Sequence, residues 1–136
     1  MVKIPDEVVS AINNAKNPKI LATIGEDGAP HAIQAGSIRA PSNEIMMVGA
    51  ILMKKTGKSL EAMKRSGTAA AFLVLDGRNS YEVRCKVGDF VTSGPMFDTM
   101  AEGTKQLGLT LQGVWTFTPL EVFNQSASYE AGTKMA

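Results

Sequence analysis

Residues 20–36 read ILATIGEDGAPHAIQAG. The short, partly β-branched run Lys19 to Ile24 meets Gly25-Glu26-Asp27-Gly28 and returns as His31 to Arg39, which is the pattern of a β-hairpin. Ala40-Pro41-Ser42-Asn43 then forms a second turn cluster, and Glu44 to Gly49 (EIMMVG) reads as a third strand. Strands joined by turns this short run antiparallel, because a parallel pair needs a long crossover. Upstream, Pro5 suits a first helical turn, Asp6 and Glu7 favour the positive end of the helix dipole, and Val8, Val9, Ile12 and Ala15 share one face. Lys16 suits the end of that helix and Asn17-Pro18 stops it, so it is expected over about 6–15.

Downstream, Leu60 and Met63 lie three apart and Gly67 is placed to cap a helix that starts near Thr56. Thr68 to Leu75 reads as a buried strand turned by Asp76-Gly77. In the next segment Tyr81, Val83, Cys85 and Val87 share one face while Glu82, Arg84 and Lys86 share the other, the alternation of a half-buried strand. Gly94-Pro95 precedes Met96, Phe97 and Met100, spaced for a short helix that Gly103 and Gly108 weaken or end. A last strand fits Gly113 to Phe123, bent or at an edge around Pro119, which cannot donate to a ladder. Residues 124–136 have little to bury and are expected to be mobile or covered by a second subunit. The sum is a mainly β, α+β chain: six antiparallel strands closed into a barrel, with short helices at its openings.

At 136 residues the chain fits one domain, 1–136. Its 44% hydrophobic and 20% charged residues, with 14 Lys+Arg against 13 Asp+Glu, are those of an ordinary globular protein and argue against a nucleic-acid partner. One cysteine, Cys85, and one histidine, His31, cannot furnish a disulfide or a zinc cage. Cys85 reads as a core residue, and His31, beside a hairpin turn, as a surface or structural one. No stretch approaches the roughly 20 apolar residues that span a bilayer, and Met1 to Asp6 lacks a signal-peptide core, so no membrane and a cytoplasmic address are expected.

The densest charge lies at residues 54–65, where Lys54, Lys55, Lys58, Lys64 and Arg65 face only Glu61. A helix beginning near Thr56 would gather free N–H groups, its dipole, lysines and the hydroxyls of Thr56 and Ser59 at one end, which makes a phosphate cradle. A solvated basic face is the other reading. Gly57-Lys58-Ser59 is not a P-loop, since the first glycine of that motif would fall at Leu52. Ala32, Ala35, Gly36, Gly49 and Ala50 keep the adjoining strands bare, either to admit a flat ring or to let a tight sheet bend.

These residues resemble the FMN-binding split-barrel proteins related to pyridoxamine 5′-phosphate oxidase, and most of all the small FMN-binding ones. The likeness covers roughly residues 6–123 and is carried by the leading helix, ILATIGEDGAPHAIQAG, EIMMVGAILMKKTGKSLEAMKRSG (44–67) and FVTSGPMF (90–97). It implies a six-stranded split barrel of Greek-key type, FMN as cofactor, and a homodimer with the flavin near its interface. By the resemblance, the phosphate meets Lys55 and Thr56, helped by Lys54 and by Ser59, where the family often has Asn. The isoalloxazine lies against Ile33, Gln34, Ala35 and Gly36 and against Val48, Gly49, Ala50 and Ile51. The partner completes the site with Trp115 or with the face bearing Glu82 and Arg84. An FMN-dependent oxidoreductase with a small-molecule or protein redox partner is implied, with a non-catalytic electron carrier, or a relative binding deazaflavin or haem through His31, as alternatives. True pyridoxamine 5′-phosphate oxidase activity is not expected, because the C-terminal Arg-Leu segment is missing.

Overall fold

The structure, a computed structural model, describes residues 1–51 and 53–136. Helix α1 spans Asp6–Asn13 and buries Val8, Ala11 and Ile12. It stops two residues before the expected end because Asn14 is already extended and because the ammonium of Lys19, buried in the next strand, donates to the carbonyls of Ile12 and Asn14 at 3.1 and 3.2 Å. Burial first, and the charge of Arg39 second, hold this lysine below its ordinary pKa. Asn13 fixes the helix to the sheet by exchanging two 2.8 Å side-chain hydrogen bonds with the Ala40 backbone.

Strands β1 (Lys19–Ile24) and β2 (Pro30–Gln34) form the hairpin, in register from Ile20 opposite Gln34 to Ile24 opposite Pro30. The strand expected through Arg39 is two strands. After Ala35, whose N–H still donates to the Lys19 carbonyl at 3.1 Å, the chain leaves β1, and β3 (Arg39–Ser42) pairs instead with β4 (Ile45–Ala50). The break falls where the Ser37 hydroxyl, rather than a ladder carbonyl, takes the Gly49 N–H at 3.0 Å. Helix α2 (Lys54–Ser66) follows and ends on Gly67, whose φ of 76° is the left-handed cap expected there.

Strands β5 (Ala70–Asp76) and β6 (Asn79–Val91) come next, with Tyr81, Val83, Cys85 and Val87 of β6 facing inward as the alternation required. Helix α3 (Pro95–Gln106) passes through Gly103, and the chain reverses at Gly108, φ 72°. In β7 (Gly113–Asn124), Pro119 sits at a bulge opposite Cys85. It therefore bends a central strand, since β7 lies between β6 and β4. The tail folds back as β8 (Thr133–Lys134) on the end of β7, with Met135 N–H donating to Val122 at 2.7 Å and Ser126 buried against Ser80.

All pairs are antiparallel, in the order β2-β1-β5-β6-β7-β4-β3, with β8 added to β7. The sheet thus has eight strands, where six were expected, and it is not closed: β2 and β3 end the ladder. The two additions arise from the break at 35–38 and from the paired tail. The main core gathers around Leu21, Val48, Val83, Phe117 and Val122, with Phe72 meeting Phe117 edge-on at 4.8 Å between centroids. Met47, Met100, Leu111 and Val114 make a second cluster beneath α3. Among the described residues, no helix is long and apolar enough to cross a membrane.

Candidate anion-binding cleft

The start of α2 is chemically unusual for a helix terminus. Met53 at its N-cap gives no side-chain hydrogen bond and the first turn holds no acidic residue, so the leading N–H groups have neither a cap nor a carboxylate. Lys54 and Lys55 add two ammonium groups at the same end, and Thr56 contributes a hydroxyl. Such an end attracts anions through its partial charge and its free donors. The opposite end is conventional, with Lys64 and Arg65 in the last turn.

This helix start opens onto a cleft of about 830 Å³. One wall comes from β2 and the segment after it, with His31, Ile33, Gln34, Ala35 and Gly36; the second comes from β4 and the residue after it, with Met47, Gly49 and Ile51. Helix α3 supplies a third through Thr99, Met100 and Thr104. The lining contains Lys54, Lys55, Arg39 and His31 and, among the described residues, no acidic side chain. Arg39 is held in place by donating through Nη1 to the carbonyls of Gly36 and Ile38 at 2.6 and 2.7 Å. His31 Nε2 lies 3.1 Å from Thr56 Oγ1 and ties β2 to the first turn of α2.

Nine of the residues singled out from the sequence line this cleft: Ile33, Gln34, Ala35, Gly36, Gly49, Ile51, Lys54, Lys55 and Thr56. The other four face elsewhere. Val48 alternates with Met47 and Gly49 and is wholly buried in the main core. Ser59 shares the buried face of α2 with Leu60 and Met63. Ala50 of β4 and Trp115 of β7 border a separate, smaller hollow of about 290 Å³. Trp115, 4% exposed and tilted against Phe90, is a core residue of its own chain. Glu82 and Arg84 pair with each other at 3.3 Å on the outer face of β6.

The sequence reads His31 as a surface or structural residue, and its bond to Thr56 makes it a structural one in the cleft wall; Arg39, Met47 and Met100, which the sequence gives only as parts of strands and a helix, also line the cleft. For His31 the period-2 alternation with Ile33 was an available signal, whereas nothing local marks Arg39 or Met100. The bareness of the strands has two separate meanings. A Cβ on Gly36 would meet nothing within 4 Å, so that position opens onto the cleft. A Cβ on Gly49 would lie 2.5 Å from Met100 Sδ, so that glycine admits the chain's own α3.

The chain is thus an open eight-stranded antiparallel sheet with three helices, whose cleft, at an uncapped helix start, holds no acidic side chain among the described residues. No protein-family model matches the sequence, and no curated protein matches it. Among solved structures, HupZ of Group A Streptococcus superposes with a TM-score of 0.76 at 17% identity, over 95% of this chain and 99% of that one. An FMN-binding protein from Syntrophomonas wolfei gives 0.74 at 16% identity, over 88% and 84%. A Clostridium acetobutylicum protein of the pyridoxinephosphate oxidase family gives 0.68 at 11% identity, over 95% and 92%. Further matches include an F420 reductase and HutZ, the heme storage protein from Vibrio cholerae. The chain has the fold of the FMN-binding and pyridoxamine 5′-phosphate oxidase-like proteins.

Proposed function

We propose that this protein is an FMN-binding flavoprotein, acting as a cytoplasmic, homodimeric FMN-dependent oxidoreductase with a small-molecule or protein redox partner. The observation that carries the reading is the uncapped, doubly lysine-bearing start of α2 at one end of a cleft otherwise walled largely by apolar and small residues. The cleft volume lies within the roughly 300–1,000 Å³ of small-molecule sites. A phosphorylated planar ligand matches both parts: Lys54, Lys55 and Thr56 would hold the phosphate, while Ile33 to Gly36 and Ile51 would flank the ring. The flavin, when bound, supplies the electron transfer, and the protein orients it and excludes water. Val48, Ala50 and Ser59 would then act from behind the wall, as packing that fixes β4 and α2.

A deazaflavin would use the same phosphate end. Haem would need the lone imidazole to ligate through Nδ1 or to give up the bond from Nε2 to Thr56. An electron carrier would share every contact and differ only in turnover, so assay with NADH or NADPH and a panel of acceptors separates carrier from enzyme.

The first test is uptake: protein incubated with FMN and desalted is expected to retain flavin absorbance near one equivalent per chain. Lys55→Ala is expected to weaken FMN about 10- to 100-fold, the scale of one charge-assisted hydrogen bond, and to leave riboflavin nearly unchanged. Equal losses for the two ligands would remove Lys55 from the phosphate site, and a colourless wild-type protein would overturn the flavin reading. Light scattering on the flavin-loaded protein checks the dimer.

A further inference from the structure

The bond between His31 and Thr56 has a direction that matters. Thr56 is 2% exposed, and among the described residues His31 is the one side chain that reaches its hydroxyl. A threonine hydroxyl has a single hydrogen. If it donates to an unprotonated Nε2, its lone pairs are left facing the cleft, where they would repel an anion. If Nε2 carries the proton, Thr56 Oγ1 accepts from the ring and its own hydrogen is free. An anion in the cleft selects the second arrangement, because it turns one more donor toward the ligand beside Lys54, Lys55 and the bare N–H groups, with no acidic side chain in the lining among the described residues.

We propose that His31 is a positioning residue for the anion: its Nε2–H donates to Thr56 Oγ1, which leaves the Thr56 hydroxyl hydrogen to donate to a phosphate oxygen at the start of α2. This rests on the phosphate reading of the cleft. The strand supports the role, because the β1–β2 register pairs His31 with Thr23, one pair in from the turn end of the ladder, and so holds the ring over the first turn of the helix. The neutral Nε2–H tautomer and the imidazolium both serve; the Nδ1–H tautomer does not.

The experiment measures FMN and riboflavin affinities for the full chain and for Thr56→Val, His31→Ala, His31→Gln and the Thr56→Val/His31→Ala double variant. The ratio of the two affinities reports the phosphate alone and is insensitive to general loosening. His31→Ala is expected to reduce the preference for FMN about tenfold, the scale of one charge-assisted hydrogen bond. Thr56→Val should do the same and the double variant no more, since both singles break one chain of bonds. His31→Gln, whose amide N–H can replace Nε2–H, is expected to restore most of the preference. Nitrogen NMR of the single histidine in the FMN-loaded protein should report a proton on Nε2. A wild-type protein that binds FMN and riboflavin equally would overturn the phosphate reading and the relay with it. A wild-type preference that survives His31→Ala, additive losses in the double variant, or an Nδ1–H ring would overturn the relay alone.

Discussion

Thr23 Oγ1 is, among the described residues, the buried side-chain oxygen that has no hydrogen-bond partner. A hydroxyl left in that state costs about 1–3 kcal/mol, so replacing it by a methyl of the same shape should help. Thr23→Val is expected to raise stability by about 1 kcal/mol in urea unfolding; a loss of that size would mean the hydroxyl is bonded in solution. Cys85 is wholly buried, and burial pushes its thiol above the ordinary value of 9.0. The unfolded chain releases this proton near pH 9 while the folded chain keeps it, so the folded state binds more protons above that pH and stability falls as pH rises. The slope contributed by one thiol is at most about 1.4 kcal/mol per pH unit. Urea titrations at pH 8, 9 and 10 should show this decline in the wild type and a flatter one in Cys85→Ala.

Among the elements, α2 depends on its two ends in different ways. At the C-terminal end Gly67 adopts φ 76° and donates to Met63 at 2.9 Å. A Cβ is disfavoured in that conformation whatever the space around it, so Gly67→Ala should cost about 1–2 kcal/mol by chemical denaturation and leave ligand affinity unchanged. At the contact of β4 with α3 the outcome should be reversed. The atoms a Gly49 Cβ would meet first are the tips of Met100 and Leu111, which can swing aside. Gly49→Ala is therefore expected to cost only about 1 kcal/mol in stability while driving Met100 into the cleft and lowering FMN retention. If retention were unchanged, the ring would not lie along this part of β4.

Over the whole molecule, the open edge between β2 and β3 and the folded-back tail are the features that depart most from a closed six-stranded barrel. The tail contributes the Met135–Val122 and Ser126–Ser80 hydrogen bonds and packs Met135 and Ala136 against the main core. Removing residues 125–136 is expected to lower stability by more than about 2 kcal/mol, at roughly 1 kcal/mol per hydrogen bond, as measured by the urea midpoint. A truncated protein of wild-type stability would show that these contacts add nothing net.

Local patterns were enough to read the antiparallel hairpin, the inward face Tyr81–Val83–Cys85–Val87, the cap at Gly67 and the basic start of α2, because each follows from side-chain period, turn chemistry or charge within about a dozen residues. The same local reading carried Lys54, Lys55 and Thr56 to the cleft. It ran β2 into β3, because whether a strand continues past Ala35 depends on which distant strand offers it a ladder. It left the tail unpaired for the same reason, since the partner of Met135 is Val122. Val48, Ala50 and Ser59 share segments with cleft residues, but alternation across β4 and the buried face of α2 turn them away from the cleft, and Trp115, which the resemblance assigns to the partner's side of the site, packs against Phe90 in its own chain. His31 gained its role only when folding set it 3.1 Å from Thr56, twenty-five positions along the chain. Hydrogen bonds and cavity walls between distant segments are properties of the packed chain, and it is packing that made this helix start the end of a cleft.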